Sequence, residues 1–121
     1  MTTAVTVFPK VRVAIVALGN ATSGEVDLQG SVLTGIYTPS ALTNSTISIL
    51  AATRSGGTFA RINNESSQPV SIAVATNASR AIGLDTWAIA VAPWRFIKIQ
   101  TGTATSPATE AAARTFYLVT K

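Results

Sequence analysis

What most constrains this chain is its punctuation. Short runs of β-branched and apolar residues recur about every 8–12 residues, each closed by a turn or breaker signal. Val11–Gly19 (VRVAIVALG) ends in Gly-Asn. Ser31–Pro39 (SVLTGIYTP) alternates loosely and ends at a proline, which cannot donate to a strand ladder. Ser45–Arg54 (STISILAATR) sets Ile47 and Ile49 on one face. Ser55-Gly56-Gly57 offers the positive φ values a hairpin turn needs, and Thr58–Ile62 is the return strand. Pro69–Thr76 (PVSIAVAT) sets Val70, Ile72 and Val74 on one face, and Ser79–Leu84, Arg95–Gly102 and Arg114–Lys121 complete the series. About eight short strands at this spacing predict an all-β fold: a single-domain β-sandwich, jelly-roll-like in its arrangement.

Two stretches have helical character. Leu84–Trp94 offers Asp85 and Thr86 as N-cap candidates and Pro93 as a stop. Ala108–Arg114 places good helix formers behind Thr109. Each is long enough for one or two short turns at most. No internal repeat, linker or shift in composition divides the chain, so residues 1–121 read as one domain, with residues 1–9 as an N-terminal arm.

The charge content is low. The chain is 47% hydrophobic but 12% charged, against about 25% charged in an average domain. Threonine, serine and alanine fill the difference, and hydroxyls are far easier to desolvate than ions. Such a surface suits a chain whose outside is covered by neighbours, and composition fits a soluble, threonine-rich β-domain equally well. The net charge of +4 comes from nine scattered basic residues against five acidic ones, which favours an acidic partner surface but supplies no basic run for nucleic acid. No stretch approaches the roughly 20 apolar residues of a membrane span. The apolar run Val13–Leu18 is short for a signal peptide, so the expectation is an unprocessed, soluble protein made in the cytoplasm.

The chain has no cysteine and no histidine, which removes disulfides, thiolate chemistry, Cys/His zinc sites and the commonest general base. The acids Glu25 and Asp27 share a face if extended, but no further acids converge on them, so they read as solvated groups near Gly24 rather than as a metal or hydrolytic pair. The glycines of TRSGGTFAR match neither the P-loop nor the dinucleotide pattern and read as the hairpin turn. No serine has an argued activating base. The expectation is no enzyme, no cofactor, no metal and no small-molecule substrate. Most aromatic side chains are expected in the core. Trp87 and Trp94, which flank an irregular segment, are the candidates for exposure at an interface. Arg80, Arg95 and Arg114 each precede an apolar stretch; gathered at one end of the sandwich they would make a basic rim for partner carboxylates.

The end of the chain is less generic. FIKIQTGTATSPATEAAARTFYLVTK resembles the ending of small virion structural proteins from the head modules of tailed bacteriophages, of the capsid decoration or cement type. In those an F-x-K-[IL] strand runs into SGT-like small residues, then a proline loop, a small or acidic patch and a final RT-hydrophobic-x-LV strand. The residues that carry the likeness are Phe96, Lys98, Ile99, Gly102, Thr103, Pro107, the alanines 111–113, Arg114, Thr115, Leu118 and Val119. Weaker likeness lies in Ser23–Leu42, Thr53–Ile62 and Ser79–Asp85, so the pattern covers the chain from about residue 23 onward, without the arm.

The resemblance implies a β-rich head decoration protein that binds the outer capsid between capsomers and stabilises the shell. Its partners would be the major capsid protein and copies of itself, as a homotrimer, on the virion exterior. No nucleic-acid, membrane or cofactor role is implied. Interface residues are expected in the arm (Thr2, Thr3, Val5, Val7, Phe8 and Pro9), at Trp87 and Trp94, at Arg80, Arg95 and Arg114, and at Thr103 and Pro107 of the long connection before the last strand. A different class is a carbohydrate-binding or host-recognition module of a tail or head fibre, which needs Trp87, Trp94 or Tyr37 exposed on a shallow face. A nucleic-acid-binding barrel would need Arg61, Arg80, Arg95 and Lys98 on one face.

Overall fold

The computed structural model describes residues 10–64, 66–83, 86–103 and 106–121. Among these residues, nine strands and one short helix follow in order: β1 (Lys10–Val16), β2 (Val26–Asp27), β3 (Leu33–Tyr37), β4 (Thr46–Ala52), β5 (Ala60–Arg61), β6 (Ser71–Ala73), β7 (Ala81–Ile82), α1 (Thr86–Val91), β8 (Phe96–Thr101) and β9 (Arg114–Thr120). All pairings are antiparallel. One sheet has the order β1-β9-β3-β7; the other runs β2-β8-β4, with β5 and β6 both on the far edge of β4.

β5 and β6 are one strand interrupted. Arg61 pairs with Leu50 and Ser71 with Ser48, so the ladder resumes in line after a nine-residue excursion. That excursion is a small hairpin closed by the Asn63–Pro69 bridge and by the Asn64 Oδ1, which accepts from the amides of Ser66 and Gln68. Counting β5 and β6 as one strand leaves eight, ordered 1-8-3-6 and 2-7-4-5, which is the strand order of a jelly roll.

The core lies where the inner faces meet. Ala14, Val16, Leu33, Ile36, Phe116 and Leu118 come from one sheet; Val26, Ile47, Ile49, Ile97, Ile99 and Ile72 come from the other. The alternation that sets Ile47 with Ile49, and Val70 with Ile72 and Val74, places each of these side chains in that core. Helix α1 adds Trp87, Ala88 and Val91. The core is mainly aliphatic: among the described residues only two aromatic side chains, Phe116 and Trp87, are buried.

The eight strands expected from sequence are present, shortened at their ends. β2 is the addition, too short to show as a run. One expectation is corrected. Ala108–Arg114 is not helical: residues 108–110 are irregular, residues 111 and 112 form a bend, and Arg114 opens β9. The backbone of this stretch bonds to distant segments instead of to itself. Ala108 donates to Thr101, and Glu110 donates to Asn20 while accepting from Gly19.

A charge-free face on the outer side of one sheet

The outer face of the β1-β9-β3-β7 sheet follows from parity. In β1, Ala14 and Val16 point to the core, so Val11, Val13 and Ile15 point away from it. In β9, Phe116, Leu118 and Thr120 are buried, and Thr115, Tyr117 and Val119 take the opposite side. The register stacks these residues in rows: Val11 opposite Val119 and Gly35, Val13 opposite Tyr117 and Tyr37, Ile15 opposite Thr115, with Ala81 beyond Tyr37. None of these outward residues is charged. Val11 is 59% exposed, Ile15 50%, and Val13, Tyr37 and Tyr117 lie between 44% and 48%. The Tyr37 and Tyr117 rings sit 6.4 Å apart and tilted. Half-exposed side chains of this size offer apolar surface on the order of 500 Å² in one patch, at the upper end of what a monomer presents without use.

The outer face of the other sheet is dressed differently. Lys98 lies 4.5 Å over the Phe59 ring, and Arg95 lies 5.0 Å over Phe96. Arg95 also holds Asp27 through two bonds, 2.8 Å from Nε to Oδ1 and 3.0 Å from Nη2 to Oδ2. That bidentate contact, helped by the Gln29 amide, holds the Asp27 carboxyl below its usual range and raises the Arg95 guanidinium. Beside them Glu25 accepts from the Ser55 hydroxyl at 2.6 Å and the Gly56 amide at 2.8 Å, and these bonds lower its pKa. The acids Glu25 and Asp27 are thus fasteners. Glu25 ties the Ser55–Gly57 turn, where Gly56 takes a φ of +68°, to the start of β2.

The long connection after β8 is held by its own domain. Thr101 donates from Oγ1 to the Ala108 carbonyl at 2.6 Å, and Gly102 bridges Pro107. Gly102 has φ +87°, and a Cβ there would sit 2.5 Å from the Ala108 nitrogen and 2.6 Å from the Ser106 oxygen, so only glycine fits. Glu110 has a fully buried carboxylate that accepts from Arg114 Nε at 3.1 Å and from the Thr43 amide at 3.1 and 3.3 Å. The crossing is thereby tied to both the β1–β2 and β3–β4 connections.

The interface candidates named from sequence separate accordingly. Thr2, Thr3, Val5, Val7, Phe8 and Pro9 lie outside the described residues, as do Leu84 and Asp85. Trp87 is corrected: it is 6% exposed, because α1 turns it into the core, and Trp94 is half-buried against the same cluster. Arg114 is committed to Glu110 and Arg95 to Asp27. These two arginines stand at opposite ends of the sandwich, since Arg114 and the Thr101 end of β8 both meet the Ala17–Ala21 connection while Arg95 precedes the other end of β8. The three arginines therefore form no single rim; Arg80, exposed next to Thr38, shares only the Arg114 end. Pro107 is exposed and Thr103 half-buried.

Sequence reasoning missed Val11, Val13, Ile15 and Tyr117. The signal was present in VRVAIV and FYLV, which are apolar at both parities, whereas a strand with one wet face alternates. A shallow cavity of about 240 Å³, lined by Asn64, Pro69, Val70, Ser71 and Trp87, has no titratable side chain among these residues. Among the described residues no three acids come together as a metal site would require, and no helix is long and apolar enough to cross a membrane. Comparison with protein-family models, curated proteins and solved structures finds no match to this chain.

Proposed function

We propose that this chain is a structural virion protein, a head decoration or cement protein that binds the outer capsid surface between capsomers and stabilises the shell without catalysing a reaction. The observation that carries the reading is the charge-free face of Val11, Val13, Ile15, Tyr37 and Tyr117, set against an opposite outer face that carries Lys98, Arg95 and Asp27. A surface of that kind gains most when a partner covers it. The jelly-roll order is compatible, since that architecture recurs in viral capsid domains, but it hosts other functions too and supports the reading only by analogy. The resemblance of residues 96–119 to phage head proteins supplies the partner, the major capsid protein, and the site of action, the virion exterior. The chain's net charge of +4 favours an acidic lattice surface. Binding to the assembled lattice and not to free subunits would stabilise the shell by mass action.

The test is to add purified protein to heads stripped of their decoration. Saturable binding and a raised temperature of head disruption are expected. Heads that neither bind the protein nor gain resistance to heat would overturn the proposal.

One observation favours a second reading. Tyr37 and Tyr117 form an exposed aromatic pair on a shallow sheet face, the arrangement on which a sugar ring stacks. A carbohydrate-binding or host-recognition module of a tail or head fibre would quench tyrosine fluorescence on a glycan panel; no response to any glycan removes it.

A further inference from the structure

Four strand edges terminate the two sheets, and three are blunted. β2 and β7 have two residues each, and the edge formed by β5 and β6 has two and three, interrupted by the hairpin. Short or broken edges are how β-proteins prevent unwanted pairing. β1 is the exception. It is seven residues long, pairs only with β9, and contains no proline, glycine or bulge. In a strand bonded on one side, alternate N–H and C=O groups point away from the sheet. No backbone group of any other described segment bonds to this edge.

The charges that could protect the edge are placed so as not to. Arg12 has the parity of the core-facing residues and turns beneath the sheet, with Nη2 3.3 Å from the Gln29 side-chain oxygen. Lys10 stands at the end of the strand. The outward residues between them are Val11, Val13 and Ile15, each about half exposed or more.

We infer that β1 pairs antiparallel with β1 of a second copy of this chain, joining two four-stranded sheets into one of eight strands across a twofold axis at Val13. A self-complementary interface of this kind needs a strand that tolerates facing itself. β1 does. With Val13 opposite its own counterpart, Val11 faces Ile15, Arg12 faces Ala14 and Lys10 faces Val16. Every outward pair is then β-branched on β-branched, and no positive charge faces another. Pairing also merges the two charge-free faces into one surface about twice as large. The use of that surface by a capsid rests on the function proposed above, but the pairing itself does not. Its symmetry is twofold, so it replaces the threefold assembly that the resemblance implies.

The test uses the whole chain, which has no native cysteine. Sedimentation at high micromolar concentration is expected to give a two-chain mass. Val13→Lys sets two ammonium groups opposite each other at the axis and is expected to weaken the dimer at least ~100-fold, with unchanged circular dichroism. Under mild oxidation Val13→Cys should cross-link to itself nearly completely, because residues opposite one another at the axis lie about 4.5–5.5 Å apart between Cα atoms, within disulfide reach. Leu18→Cys, more exposed but beyond the strand, should not. A one-chain or three-chain mass overturns the pairing, as does a Val13→Lys protein that remains dimeric, or a Leu18→Cys protein that cross-links as fully as Val13→Cys. If Val13→Lys does not fold, the two cysteine variants decide. A dimer that fails to bind heads would count against the proposed function and leave the pairing standing.

Discussion

The crossing between β8 and β9 and the outer face of β1, β9 and β3 make an instructive contrast. The crossing is built of small polar residues and reads as surface, yet Gly102 and Glu110 within it, and Thr101 at its root, are buried and hydrogen-bonded to the chain's own loops. The face is built of valine, isoleucine and tyrosine and reads as core, yet it stands open. What decides is geometry. A threonine hydroxyl or a glutamate can be buried when carbonyls and amides stand ready to bond it, and a valine on the wrong parity of a strand cannot reach the core at all. Under the proposed function, the crossing serves stability and the face serves association.

Substitutions in each region, and a change of pH, would break or sharpen that assignment. Gly102→Ala has the largest expected effect, a loss of about 4 kcal/mol, because a left-handed φ and a backbone overlap coincide. Urea denaturation would read it, and a loss below about 1 kcal/mol would mean that the crossing is loosely held. Glu110→Ala is expected to cost about 3 kcal/mol, since it strands Arg114 and the Thr43 amide. Glu110→Gln, which keeps an acceptor, should cost less. Tyr117→Glu on the open face should change stability by no more than about 0.5 kcal/mol. The same substitution should weaken binding to heads about 100-fold, equivalent to about 2.7 kcal/mol.

The smallest effect is a pH response on the other sheet. The carboxyls of Glu25 and Asp27 titrate below their ordinary values, so the stability they contribute is present above about pH 4 and is lost as pH falls through their lowered folded values. The Gly56 amide resonance should therefore shift with acid in the wild type and stay fixed in Glu25→Gln. A Gly56 amide that ignores pH in both proteins would remove Glu25 as the fastener of that turn.

The fold was largely legible. Period-two runs such as STISILAATR and PVSIAVAT announce strands because one parity carries the large aliphatics, and Gly56 or Pro39 announces their ends. β2 was hidden because two residues show no period, and its pairing with β8 comes from the tertiary fold. Ala108–Arg114 misled because local helix propensity was outweighed by bonds from Gly19 and Thr43 and to Asn20, none of which is visible locally. Trp87 misled for a related reason: its flanks look irregular, but the helix they bracket faces inward. The open face could have been found by asking which strands are apolar at both parities, since β1 is an edge and no helix or third layer among the described residues covers its outer side.

The most direct test of the account is head occupancy by two matched variants. Tyr37→Glu with Tyr117→Glu places charge on the open face, and Arg61→Glu with Lys98→Glu places charge on the opposite outer face. The account predicts that the first pair abolishes saturable binding to stripped heads while the second leaves the bound copy number close to that of the wild type. Equal occupancy by both, with both proteins folded, would contradict the assignment of association to the β1-β9-β3 face.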